Sequence, residues 1–127
     1  MDYTTAVAQV RLLIADVATD ETKRVLTDAH VGGFLTLQGA APEDGAQSWQ
    51  VRRAAADALT TIAASETLIG KYVRTADGLT TDGTKVGAEL RAQADRQLAI
   101  ADREEADHDA ADGAFGVLEF QPYPRGR

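Results

Sequence analysis

The chain contains no cysteine, so disulfides and thiolate chemistry are excluded. Basic residues are outnumbered, 13 Lys and Arg against 20 Asp and Glu, for a net charge of −7. That balance argues against direct DNA binding, which needs clustered cations to displace counterions. No apolar run approaches the ~20 residues that cross a bilayer. Residues Met1, Asp2, Tyr3 and Thr4 lack the basic-then-apolar order of a secretory leader. The expectation is a protein made in the cytoplasm and soluble there. Large apolar residues are scarce: 44% of the 127 residues are hydrophobic, and much of that share is alanine. A chain of this length makes one domain and can bury roughly two-thirds of its unfolded surface. With so few bulky side chains, its helices must pack closely or borrow core from a neighbouring subunit.

What is present has helical periodicity. Val7, Val10, Leu13 and Ile14 mark one face of a helix over 5–15, which Thr4 or Thr5 can cap. Residues 16–24 are polar and read as a loop. Thr27 is a cap for a second helix, with Asp28 favourable at its positive end. Val31, Phe34, Leu35 and Gln38 follow at helical spacing, although Gly32 and Gly33 each weaken that helix by about 1 kcal/mol relative to Ala. Residues 39–47, with Pro42 and Gly45, form a loop. A third, central helix is expected over 48–73, rich in alanine, with Val51, Ala55, Leu59, Ile62 and Ile69 near one stripe. A connector over 75–81 leads into a fourth helix over 82–111. Its narrow apolar seam is Val86, Leu90, Ala94 and Leu98. So little apolar surface on so long a helix suggests exposure or a place between subunits.

From Gly113 the character changes. Phe115, Val117, Leu118, Phe120 and Tyr123 are followed by Arg125 and Arg127. Pro122 and Pro124 forbid a continuing helix. The segment reads as an extended apolar tail. Clustered apolar side chains on a terminus must be covered by something, either the chain's own domain or a partner. The expected fold class is all-α: a small bundle of about four helices, a long C-terminal helix and an extended tail. Residues 1–112 form the helical domain and 113–127 the tail.

Candidate chemistry is thin. Glu105 and His108 are three apart on a helix, as in the Glu-x-x-His element of di-iron bundles, with Glu104 and Asp109 beside them. Such centres need two of these elements and further carboxylates, and His30 is the only other histidine. A solvated acidic helix end is the simpler reading. The run 78–85 nearly spells a phosphate loop, but Thr84 precedes Lys85 where the motif needs the reverse order. Ser48 and Ser65 lack a Gly-x-Ser-x-Gly elbow and are explained as a cap or a helix face. No convergent acid, base and nucleophile set is visible, so no catalytic, cofactor or metal site is assigned. Trp49 is read as a core residue in preference to an interface anchor. Arg52 and Arg53 read as a solvated or ion-paired face.

The order of these segments has a resemblance. Val10-Arg11-x-Leu13-Ile14-x-Asp16 comes first, then Leu26-Thr27-Asp28. Arg53-Ala54-Ala55-Ala56-Asp57-Ala58-Leu59 and Ile62-Ala63-Ala64 follow. Thr81-Asp82-Gly83-x-Lys85-Val86 and Leu90-Arg91-Ala92 open the last helix. Over roughly residues 7–110 this resembles the head–tail connector, or head-completion adaptor, family of long-tailed phages. The resemblance implies a small helical virion protein. It would sit at the head–tail interface as a ring under the portal protein, a dodecamer if the family pattern holds. It would lengthen the channel through which DNA passes without specific binding. It would also offer a platform to the next connector or the tail terminator protein. The family brings no catalytic residues. The tail residues Phe115, Val117, Leu118, Phe120, Tyr123, Arg125 and Arg127 are the expected partner-binding set. Two other classes stay open: a small helical, antitoxin-like regulator that binds a host protein, and a metal or acid–base enzyme on a bundle.

Overall fold

The computed structural model describes residues 2–41, 45–75 and 83–120, and covers the backbone alone at 66, 74–75, 83–84 and 113–120. All regular structure among them is helical. The order is α1 (Ala6–Ile14), a 3₁₀ turn (Glu21–Lys23), α2 (Asp28–Leu37), α3 (Ser48–Ala64), α4 (Glu66–Thr75) and α5 (Gly83–Phe120).

The first two helices start where side-chain chemistry lets them. The Thr5 hydroxyl accepts from the Ala8 amide at 3.2 Å and Thr27 from the His30 amide at 3.1 Å. Each satisfies one of the free donors at a helix start. Gly39, at φ +77°, ends α2 by letting the Ala40 amide return to the Leu35 carbonyl at 2.9 Å. A left-handed residue after a helix is the usual glycine position.

Three expectations are corrected. The helix expected over 48–73 is two helices, α3 and α4, broken at Ser65. Ser65 is extended (φ −115°, ψ 119°). Its hydroxyl accepts from the Leu68 amide at 3.3 Å and its carbonyl from Ile69 at 2.9 Å, so it starts α4 as a cap. The helix expected to stop near residue 111 continues to Phe120. Gly113 and Gly116 weaken a helix but do not forbid it. The first true barrier is Pro122, which disfavours helical geometry at residue 121 before it. The seam of Val86, Leu90, Ala94 and Leu98 is also wrong at its end, because Leu98 is 39% exposed. Steps of four advance about 40° beyond a full turn at 3.6 residues per turn, so a strict i+4 row drifts off its face. The observed stripe alternates three and four: Gly87, Leu90, Ala94, Gln97, Ala101 and Glu104, each buried or half-buried.

α3 is the centre of the domain, touching all four other α-helices. Ala54, Ala55, Ala58, Leu59 and Ile62 are fully buried, with Leu90 and Ala94 of α5 against the same core. Alanine on both sides lets two helix axes approach closely. Val10 and Ile14 of α1, and Val31 and Leu35 of α2, close the other side. The weak positions in α2 do not disrupt it. Gly32 is buried, and a Cβ added at Gly33 would meet nothing within 4 Å. Gly33→Ala is therefore expected to stabilise the domain by about 0.5–1 kcal/mol, through helix propensity and a less free unfolded chain. A lower urea midpoint for the variant would show that this open face is not open.

Candidate functional site

The most heavily built polar feature lies between α1 and the start of α2. Arg11 is 1% exposed and Asp16 is 4% exposed. The guanidinium of Arg11 donates from Nη1 to Asp16 Oδ2 at 2.9 Å and from Nη2 to the Leu26 carbonyl at 2.7 Å. Nε and Nη2 both reach Asp28 Oδ1, at 3.0 and 2.7 Å. Asp16 in turn accepts from the Val25 amide at 2.8 Å and the Leu26 amide at 3.0 Å. Two buried charges are thus paired and hydrogen-bonded, the condition under which burial is tolerable.

Local structure sets this geometry. Ala15 takes a left-handed conformation, φ 60° and ψ 31°, at the end of α1. The turn brings the Asp16 amide back to the Arg11 carbonyl at 2.9 Å and swings the Asp16 carboxylate toward Arg11. Such backbone is unfavourable for a residue with a Cβ, and the buried cluster holds it. Arg24 joins from the loop, donating Nε to the Ala18 carbonyl at 2.8 Å and lying 3.7 Å from Asp28. Beside them is a shallow cleft of about 290 Å³, lined by Arg11, Glu21, Arg24, Leu26, Asp28 and Lys71 among others. Its charges are mixed in sign and its guanidiniums are already engaged, so it presents no convergent set for a ligand.

The second polar system joins α3 to α5. Arg52 donates Nε to Glu104 at 3.0 Å and Nη1 to Gln97 at 2.8 Å. Arg53 reaches Glu105 at 2.7 Å and Asp102 at 2.9 Å. The carboxylates of Glu105 and then Asp102 raise the Arg53 pKa further above its already high value. His108 is 3.2 Å from Asp112, and its ring lies 5.0 Å from that of Trp49, tilted by 48°. Burial, then the nearby Asp16 and Glu89 charges, push the Tyr72 hydroxyl pKa up.

These contacts decide several sequence readings. Arg52 and Arg53 form an ion-paired face. Glu104 and Glu105 are ligands of arginine, not part of an acidic end left wholly to solvent, and no group of three metal-ligating side chains occurs among the described residues. Trp49 is half-exposed over His108, not in the core. Ser48 does not cap α3; the Gln50 side chain does, accepting from the Gln47 amide at 2.9 Å. Residues 78–82 of the near-phosphate loop lie outside the described residues. So do Tyr123, Arg125 and Arg127. Phe115, Val117, Leu118 and Phe120 fall on the α5 backbone, which corrects the extended conformation expected of them; their side chains lie outside the description. The buried Arg11 cluster was missed from sequence. Its signal was position: Val7, Arg11 and Ile14 are spaced four and three, inside the apolar stripe of α1.

No helix among the described residues is long and apolar enough to cross a membrane. No protein-family model, no curated protein and no solved structure matches the chain.

Proposed function

We propose that this chain is a structural virion subunit without enzymatic activity, an adaptor that forms a ring between portal and tail. One observation carries the reading. The two N-terminal segments on which the resemblance rests, 10–16 and 26–28, meet in a single cluster through Arg11, Asp16, Leu26 and the more exposed Asp28. The resembling residues are therefore the ones that fix how α1 meets α2, which is what a shared fold would require. The acidic net charge suits a subunit beside passing DNA, because negative walls do not retain phosphates. The partners in this reading are the portal protein, the neighbouring copies of the ring, and the next connector or tail terminator protein.

The test uses the purified full chain and the portal protein of the same phage or prophage. Electron microscopy of the mixture is expected to show a ring on the portal with the portal's symmetry, a dodecamer in the family pattern. Deleting residues 114–127, which carry Phe115, Val117, Leu118, Phe120 and Tyr123, is expected to leave the melting temperature little changed and abolish attachment. Burying several such side chains, at about 1.5–3 kcal/mol each, is the favourable term that would hold this end of the chain on a partner. A chain that ignores the portal and instead holds a host protein would replace this reading with the regulator.

A further inference from the structure

The outer face of α5 carries a pattern that its packing on α3 does not use. Ala92-Gln93-Ala94-Asp95-Arg96 recurs seven residues later as Ala99-Ile100-Ala101-Asp102-Arg103. The inward members of this repeat, Ala94 and Ala101, are buried against the core side. The remaining members, Ala92, Ala99, Asp95, Asp102, Arg96 and Arg103, are all exposed. At about 100° per residue, Ala92, Ala99 and Ala106 fall in one line, diametrically opposite the stripe that meets α3. Asp95 and Asp102 lie on one flank of that line, and Arg96 and Arg103 on the other. Asp95, Arg96 and Arg103 make no ion pair among the described residues, and Asp102, which reaches Arg53, keeps its side chain 75% exposed.

We infer that this face binds a second copy of the chain, with the two α5 helices side by side and pointing the same way. The charge order selects both occupant and direction. Neighbouring residues differ in height by about 1.5 Å, so Asp95 is level with Arg96 and Asp102 with Arg103. When two parallel copies meet on the alanine line, the acidic flank of each lies beside the basic flank of the other. Asp95 then meets Arg96 of the second copy, and Asp102 meets its Arg103. An antiparallel pair centred on Ala99 brings like flanks together, aspartate on aspartate and arginine on arginine. Alanine along the line lets the backbones approach closely enough for those pairs to form. Such a contact is self-complementary and closes on two copies, and it does not rest on the virion reading.

The absence of cysteine makes the test direct. Ala92→Cys and Ala106→Cys are made separately in the full chain, with Leu37→Cys, on a side chain 78% exposed, as the collision control. Under mild oxidant each α5 variant alone is expected to give a covalent dimer at least tenfold faster than the control. Wild type is expected to self-associate by sedimentation equilibrium, more weakly as salt rises. Arg96→Asp with Arg103→Asp is expected to weaken that association at least tenfold while the helical circular dichroism is retained. Three results would each overturn the proposal: a wild-type chain that stays monomeric at high concentration, crosslinking no faster than the control, or crosslinking that requires mixing the two cysteine variants. None of these measurements involves a portal.

Discussion

Arg11→Ala is expected to destabilise the domain by about 3–5 kcal/mol, the cost of leaving one buried partner of an ion pair unpaired. Against a total stability of about 5–15 kcal/mol for a natural domain, that is the difference between a folded protein and a marginal one. The reason lies in what remains. Asp16, 4% exposed, would keep the Val25 and Leu26 amides but lose its counter-charge, and the Leu26 carbonyl would lose its donor. Asp16→Ala is expected to be at least as costly, because it orphans two backbone amides as well as the guanidinium. Asp28→Ala is the contrast. Its side chain is 63% exposed, so water can replace much of what it supplies, and the loss should stay near the 1 kcal/mol typical of exposed pairs. Urea unfolding of the three variants checks the ranking. Equal losses for Arg11→Ala and Asp28→Ala would mean that the buried half of the cluster contributes nothing special.

Leu59→Ala is the other large effect, expected at about 2–5 kcal/mol. Leu59 is fully buried on α3 among small neighbours, including Ala55, Ala58 and Ala63. A core this rich in alanine has few long side chains able to swing into the vacated space, so the cavity should persist and the loss lie toward the upper end. Leu98→Ala removes the same atoms from a residue already 39% exposed on α5 and should cost about 1–2 kcal/mol, with no enclosed cavity left behind. Thermal or urea denaturation of both variants separates the two. If Leu98→Ala proved as damaging as Leu59→Ala, the strict four-residue seam would be the correct reading of α5 after all.

How far the sequence discloses the structure depends on the range of the interaction involved. Thr5 and Thr27 were legible as caps because a cap acts within three residues. The helical class and the central place of α3 were legible because apolar periodicity and alanine content are summed over many positions. The break at Ser65 was not, since a single serine inside an alanine-rich run changes propensity little. The available signal was Ser65 followed directly by Glu66, a cap with an acid at the positive helix end. Arg11 was hidden by the habit of assigning charge to solvent. Its partners are 5 and 17 residues away, outside any helical repeat. The α5 pairs are more distant still, 45 to 52 residues from Arg52 and Arg53, and no local pattern announces them. Of the residues expected to bind a partner, Phe115, Val117, Leu118 and Phe120 lie on helical backbone that runs further than the glycines suggested.

The antiparallel arrangement of α3 and α5 gives the domain an order of assembly. Near the connection between them, Arg91 meets the Ala63 carbonyl across 28 residues of chain, whereas at the far end Arg52 meets Glu104 across 52. Nearly doubling a loop raises its closure cost by roughly 0.5 kcal/mol, and each contact made at the short end shortens the loop left to close. The pair is therefore expected to close from Ala63 and Arg91 outward, with Trp49 meeting His108 late. On opening, the same end is expected to part first, which amide exchange would show as weaker protection in the first turns of α3 than near Ala63.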